Sequence, residues 1–452
     1  MEFQNLNQDM VTFLRQDNDK SCADCLLPGI DPTTPHITGT KMKMRSNTLT
    51  AATTAVALCA LSAGAALAAA GETAIYTFTG NADGGFPQGG LVANERGDFF
   101  GVTTSDGTGH NGVVFELQKP AKGQKTWTQT TLYAFTGGND GGVPQAGLTI
   151  DASGNLYGTA NQFGAAGNGV VFELVRHKAG WIYKVLWSFT GGADGGSPSG
   201  RLSTDTVGNV YGTTTAGGTG VVGTVFELSP PTKGKKWTEN VLYNFTGNND
   251  GGEPFGNVLL ASDGNLYGTT AGYGQYNYGT VYRLISGGNG KWIFGLLHAF
   301  KGGTDGEVPR DGLIQDSTGM LYGTTAGFDN SYGNVFEIST NGSVYNVLYN
   351  IAGGQGYTGN GPWQTVSMDS TGAIYGATFA DGESANGEVF KLTPGTNNQW
   401  NSTVLYTFQG GAQSQYPYTT VLIDKKNNLY GTSYGSAGEN GFFPGNVWEI
   451  KQ

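Results

Sequence analysis

Cysteine is nearly missing from this chain. Its 452 residues include three, Cys22, Cys25 and Cys59, and none lies beyond residue 70. Whatever folds after that point does so without a disulfide, by packing and strand pairing alone. Cys22 and Cys25 form a C-x-x-C, but no second pair accompanies them to complete a metal or redox motif. Histidine is scarce as well: His110, His177 and His298 follow residue 70, at unlike places in the sequence. No H-E-x-x-H or phosphate-loop motif occurs, so no catalytic residue and no cofactor is expected from those motifs. Charge is sparse, at 13% of residues, and the net charge is −11. That argues against duplex nucleic acid as a partner, because phosphate neutralisation needs a concentrated basic surface.

Glycine is what the chain has in quantity, 77 residues without a Gly-X-Y period. So much glycine signals many tight turns, and aromatics at 12% leave enough apolar bulk for a core. An all-β protein of short strands fits both facts. The first 70 residues differ. From Met42, Lys43 and Arg45 an Ala/Leu/Val-rich run leads to Ala66, Ala68 and Ala70, the pattern of a secretory signal peptide over 42–70. The run is too weakly apolar for a good membrane span, so cleavage near Ala68 or Ala70 and a secreted or periplasmic product are expected, with no membrane span in the mature chain. Residues 1–41 read as a leader placed upstream of the true start. The first 70 residues hold 5 of 24 basic and 6 of 35 acidic residues, which leaves 19 against 29, or −10.

The remainder is one unit written seven times. A Leu-Tyr-x-Phe element recurs at Ile75, Leu132, Leu186, Leu242, Leu297, Leu348 and Leu405. A Tyr-Gly element recurs at Phe100, Tyr157, Tyr211, Tyr267, Tyr322, Tyr375 and Tyr430, at spacings of 57, 54, 56, 55, 53 and 55 residues. A Val-Phe-Glu-Leu element recurs at Val114, Val171, Val225, Val281, Val335, Val389 and Val447. Each unit divides into strand a (such as Gly147 to Asp151), a D-x-x-G-N turn, strand b (N-L-Y-G-T-T), strand c (G-T-V-F-E-L) and strand d (W-x-x-x-x-L-Y-x-F). Four antiparallel strands in about 55 residues match a propeller blade, and closing the ring removes exposed edges. The prediction for 71–452 is a seven-bladed β-propeller. Because residues 71–452 begin in strand d and end in strand c, Ile75 to Phe78 should pair beside Val447 to Ile450 and close the ring.

The repeat F-T-G-G-x-D-G-G-x-P-x-x-G-L-x-x-D-x-x-G-N-L-Y-G-T-T resembles the GloVer tandem repeat of bacterial exported proteins, over essentially all of 75–450. The resemblance implies an exported propeller-like array and carries no assigned activity or catalytic residue. Such proteins often end in a sorting or anchoring tail, whereas here Lys451 and Gln452 follow directly on the last repeat strand.

Within this frame the repeated loop acids Asp83, Asp140, Asp194, Asp250 and Asp305 are expected to set a turn. One Asp per blade does not supply the clustered oxygens of a calcium site. The residue after the loop proline varies instead: Gln88, Gln145, Ser199, Phe255, Arg310, Trp363 and Tyr418. Phe255, Arg310, Trp363 and Tyr418 are neighbours around the ring. Tyr276 and Tyr332, in the b-to-c loops of the same sector, add aromatic surface, as do Phe379 and Tyr434. Aromatic faces with one Arg form a platform for a polysaccharide, such as a cell-wall glycan, or for an extended peptide. A binding or interaction module acting as a monomer is therefore the first expectation. The alternative is a glycosidase or lyase using Asp305, Glu307 and Asp311, since such chemistry needs paired carboxylates. A purely structural surface protein is the third. Nine of the 19 basic residues after residue 70, among them Lys119, Arg176, Lys236 and Lys291, fall in c-to-d loops on the opposite face, where they aid solubility.

Overall fold

A computed structural model describes residues 71–452, apart from 233–235, 289, 328–332, 352–360, 381, 383–384, 397–398, 411–413 and 439–440. The expected leader and signal segments, with all three cysteines, lie outside the described residues, as does Tyr332.

The described chain forms seven four-stranded antiparallel sheets in a ring, a seven-bladed β-propeller, plus a small hairpin of Ser436–Gly438 and Gly441–Phe443. Blade 2 shows the pattern, with strands a to d at Thr149–Ile150, Leu156–Ala160, Val170–His177 and Gly180–Ser188. Blade 7 draws its outer strand from the start of the chain. Its order is Glu72–Thr77, Asn446–Ile450, Leu429–Ser433 and Leu422–Ile423. Glu72 faces Ile450 and Thr77 faces Asn446, so the ring closes as the repeat phase predicts, with the strand starting three residues earlier than expected.

The seven-fold sequence elements each have a packing reason. The Gly of strand b lies across from the aromatic of strand c, and a Cβ there would meet that ring: 2.5 Å at Gly158 against Phe172, 2.2 Å at Gly431 against Trp448. The ring lies over the glycine, and any larger residue would displace it. The Leu of Leu-Tyr-x-Phe is an extra residue in strand d. In blade 2, Val171 pairs with Trp187 and Phe172 with Val185, leaving Leu186 as a bulge. The same break recurs in every blade, with Ile75 in that place in blade 7. One inserted residue re-aims the end of strand d and raises its twist. The final Phe then reaches the next blade, where Phe135 meets Phe172, Phe189 meets Phe226 and Phe78 meets Phe115 with centroids 5.1–5.4 Å apart.

The core is consequently not inside the blades but between them. Seven clusters of buried side chains each join two neighbouring blades, and one of them joins Tyr430 and Val447 of blade 7 to Leu91, Phe99 and Phe115 of blade 1. Strand a is shorter than its sequence pattern, only Thr149–Ile150 in blade 2. Near the axis the residues preceding it leave their own ladder and touch a neighbouring blade's backbone. A Cβ on Gly147 would come within 2.1 Å of the Gly89 carbonyl oxygen, and one on Gly256 within 2.2 Å of the Asp311 carbonyl carbon.

Candidate functional site

The repeated loop acid is consumed by its own turn. Asp140 accepts bonds from the Tyr133 hydroxyl (2.9 Å), Thr136 N–H (2.8 Å), Thr136 Oγ1 (2.5 Å) and Gly138 N–H (3.1 Å). Asp83 and Asp250 repeat this with Tyr76 and Tyr243. Burial alone would raise the Asp140 carboxyl, but the bonds from Thr136 and Tyr133 outweigh it and hold it below the usual carboxylate range. In blade 4, His298 takes the tyrosine's place. Its Nε2 lies 3.0 Å from Asp305, and its ring stacks on Tyr345 at 3.9 Å. Burial lowers the His298 pKa, with Asp305 opposing. These acids and this histidine are parts of the turn. Among the described residues, no group of three or more His, Cys, Asp or Glu is placed to hold a metal ion.

The residue before the loop proline joins the blades at the channel mouth. Phe86, Val143, Ser197, Glu253, Val308 and Tyr416 all have φ between 53° and 57°, a region that costs side-chain-bearing residues energy. Each is held from both sides. Glu253 N–H donates to Val222 O of blade 3 (2.7 Å), while Ala271 N–H of its own blade donates to Glu253 O (3.1 Å). Val143 and Val308 repeat the pair of bonds. The d-to-a and b-to-c loops are thereby stitched into one face.

Inside that face opens the central channel, a cavity of about 600 Å³. Its walls are strand a and the residues preceding it: Gln145, Ser199, Arg201, Phe255, Asn257, Arg310, Asp311, Gln364 and Tyr418, with Leu, Ile and hydroxyl residues deeper. The Arg310 guanidinium lies over the Trp363 ring at 4.3 Å and near the Phe255 ring at 5.6 Å. Arg310 also hydrogen-bonds the Tyr418 side chain. Trp363 stacks on Phe379 at 5.0 Å and meets Tyr418 edge-on at 5.5 Å, and Tyr434 links Tyr418 (6.2 Å) to Phe86 (5.0 Å). Phe255, Arg310, Trp363 and Tyr418 are thus brought together, in a run of rings from blade 4 round to blade 1. Trp363 is only 8% exposed and supports the others rather than offering a face. Tyr276 stands apart, 40% exposed on the b-to-c loop of blade 4.

Of the alternative acids, only Asp311 lines the cavity. Asp305 belongs to the His298 turn. Glu307 is buried in the loop, 5% exposed. Asp311 accepts from Thr365 N–H and Gly312 N–H, both at 2.8 Å. Burial pushes its carboxyl up, against those bonds and against Arg201.

Arg201, Asn257 and Gln364 were not singled out in the sequence. Their signal was one or two positions further on, where the common Gly before the strand-a Leu or Val gives way: Gly90, Gly147, Arg201, Asn257, Gly312, Thr365, Thr420.

Seven antiparallel blades around a lined channel define a β-propeller whose open face carries the variable residues. The Gloeobacter/Verrucomicrobia (GloVer) repeat matches residues 65–258 and 179–361, and the chain belongs to that family. No curated protein matches. Solved structures are similar at low identity. An ancestral GH74 enzyme is 10% identical at a TM-score of 0.50, covering 82% of this chain and 48% of that one. A puromycin-hydrolyzing peptidase of Mycobacterium tuberculosis is 10% identical at 0.49, covering 82% and 52%. A putative oxidoreductase (glucose dehydrogenase) of Thermus is 14% identical at 0.42, covering 84% and 99%. Among the described residues, no helix is long and apolar enough to cross a membrane.

Proposed function

We propose that this chain is an exported, non-catalytic binding module and that a saccharide enters the mouth of its central channel. The observation that carries this reading is the contiguity of Phe255, Arg310, Trp363 and Tyr418 at the entrance of a cavity of about 600 Å³. That volume lies within the range of small-ligand sites, roughly 300–1,000 Å³. Sugar rings present apolar C–H faces and a rim of hydroxyls. Phe255 and Tyr418 supply ring surface, and Gln145, Asn257 and Gln364 supply amides that can both donate and accept. Among the described residues, Asp311 is the one carboxylate in the lining; it is engaged by backbone N–H groups and has no second acid across the cavity. Hydrolysis of a glycosidic bond needs two carboxylates about 5–9.5 Å apart, so the lining suits binding.

A glycan array with the wild type and Phe255→Ala tests this. Binding to a defined glycan class by the wild type, weakened at least tenfold in the variant, is expected. Silence of the wild type across the array overturns the saccharide reading, and new reducing ends in the bound glycan overturn the non-catalytic one.

A further inference from the structure

Charge in the channel runs opposite to charge in the chain. The protein carries −11, yet among the described residues the charged side chains lining the cavity are two arginines and one acid, Arg201, Arg310 and Asp311. Arg310 is already engaged, by the Trp363 and Phe255 rings, by Tyr418 and by the field of Glu253 at the mouth. Arg201 is different. It sits just before strand a of blade 3 (Ser203–Thr204), two residues inside the rim, and is half-buried. Its guanidinium offers five donors. Among the described residues it makes no hydrogen bond and no ion pair, and it feels Asp311 only as a charge at a distance. Asp311 cannot be its bidentate partner, since its two oxygens are turned to Thr365 N–H and Gly312 N–H. An arginine half out of water with its fork unfilled is a receptor for a planar anion, and a carboxylate matches it bidentately.

We propose that the channel takes an acidic sugar, a uronate-type unit of a glycan, with its carboxylate on Arg201 and the neighbouring sugar against the Arg310–Phe255–Tyr418 sector. This rests on the saccharide reading above and narrows it. A bare anion such as phosphate or acetate would use the same fork but none of the rings or amides around it.

The test is calorimetric titration of the full chain with uronate oligosaccharides, each paired with its methyl ester. The ester keeps the sugar rings and removes the charge. The acid should bind at least tenfold tighter than its ester. Arg201→Gln should abolish the preference, bringing acid and ester to within about twofold of each other. If the wild type binds acid and ester equally, the inference is wrong, and this comparison holds even if the variant fails to fold. Inorganic phosphate or acetate binding as tightly as the oligosaccharide would reduce the site to an anion hole and sink the sugar assignment. If neutral glycans bind and uronates show no preference, only this inference falls. If no glycan of either kind binds, the saccharide reading falls with it.

Discussion

Phe78 closes the ring, and its removal gives the most direct measure of what closure is worth. Phe78 is 2% exposed. It follows the strand Glu72–Thr77, and its N–H donates to the Gly445 carbonyl of blade 7 (3.0 Å). Its ring meets Phe115 of blade 1 at 5.1 Å and Tyr76 at 5.2 Å. The side chain therefore joins the first blade, the last blade and the closing strand at one point. Truncating a buried Phe to Ala costs about 3–5 kcal/mol, from lost transfer energy plus the cavity. Unfolding entropy near 2.1 cal/mol/K per residue gives about 0.8 kcal/mol/K for a chain of this size. The expected fall in Tm is then about 4–6 °C, read by differential scanning calorimetry. Thr73→Ala, an exposed position on the same strand, serves as the control and should change stability by no more than about 0.5 kcal/mol. Deleting residues 71–80 should cost far more, because Asn446–Ile450 then becomes an unpaired edge. A Phe78→Ala protein melting within 1 °C of the wild type would refute the reasoning.

Three further outcomes are expected. Gly158→Ala forces a methyl to within 2.5 Å of Phe172 and 2.9 Å of Leu148, so it should destabilise by about 1–3 kcal/mol, whereas Gly71→Ala, with nothing within 4 Å, should be neutral in urea titrations. Asp140→Ala leaves Thr136 N–H and the Tyr133 hydroxyl without their acceptor and should cost about 1–3 kcal/mol in the same assay; a change below 0.5 kcal/mol would contradict a turn-setting role. Glu239 is pushed up to about 7 by burial, reinforced by Asp194. Between its ordinary value of 4.5 and about 7 the folded state holds a proton that the unfolded chain has released, so its contribution to stability is lost as pH rises through that window, and Glu239→Gln should flatten the Tm-versus-pH curve there.

The repeat made most of the architecture legible. Fixed spacing gave the blade count, and the phase of the first and last elements placed the closing strand. The loop aspartate reads as a turn former, and Asp140 is bound as one. The bulge at Leu186 was not legible, because an extra residue in a ladder is visible only against its partner strand. Arg201 was missed for a related reason. Beside the larger rim residues its substitution for Gly looks like ordinary surface variation, and only the curvature of the ring turns it inward.

Sequence alone determined the class of this protein: seven units, each unable to bury its own apolar face, must stack in a ring, because period and hydrophobic alternation are local properties of the chain. Tertiary structure decided what the ring holds. Whether Trp363 is a platform or a buried support, whether Asp305 and Asp311 face each other, and which arginine is left with an unfilled fork all depend on distances between blades about 50 residues apart in sequence. Those distances are set by packing across seven inter-blade clusters, and no single repeat encodes them.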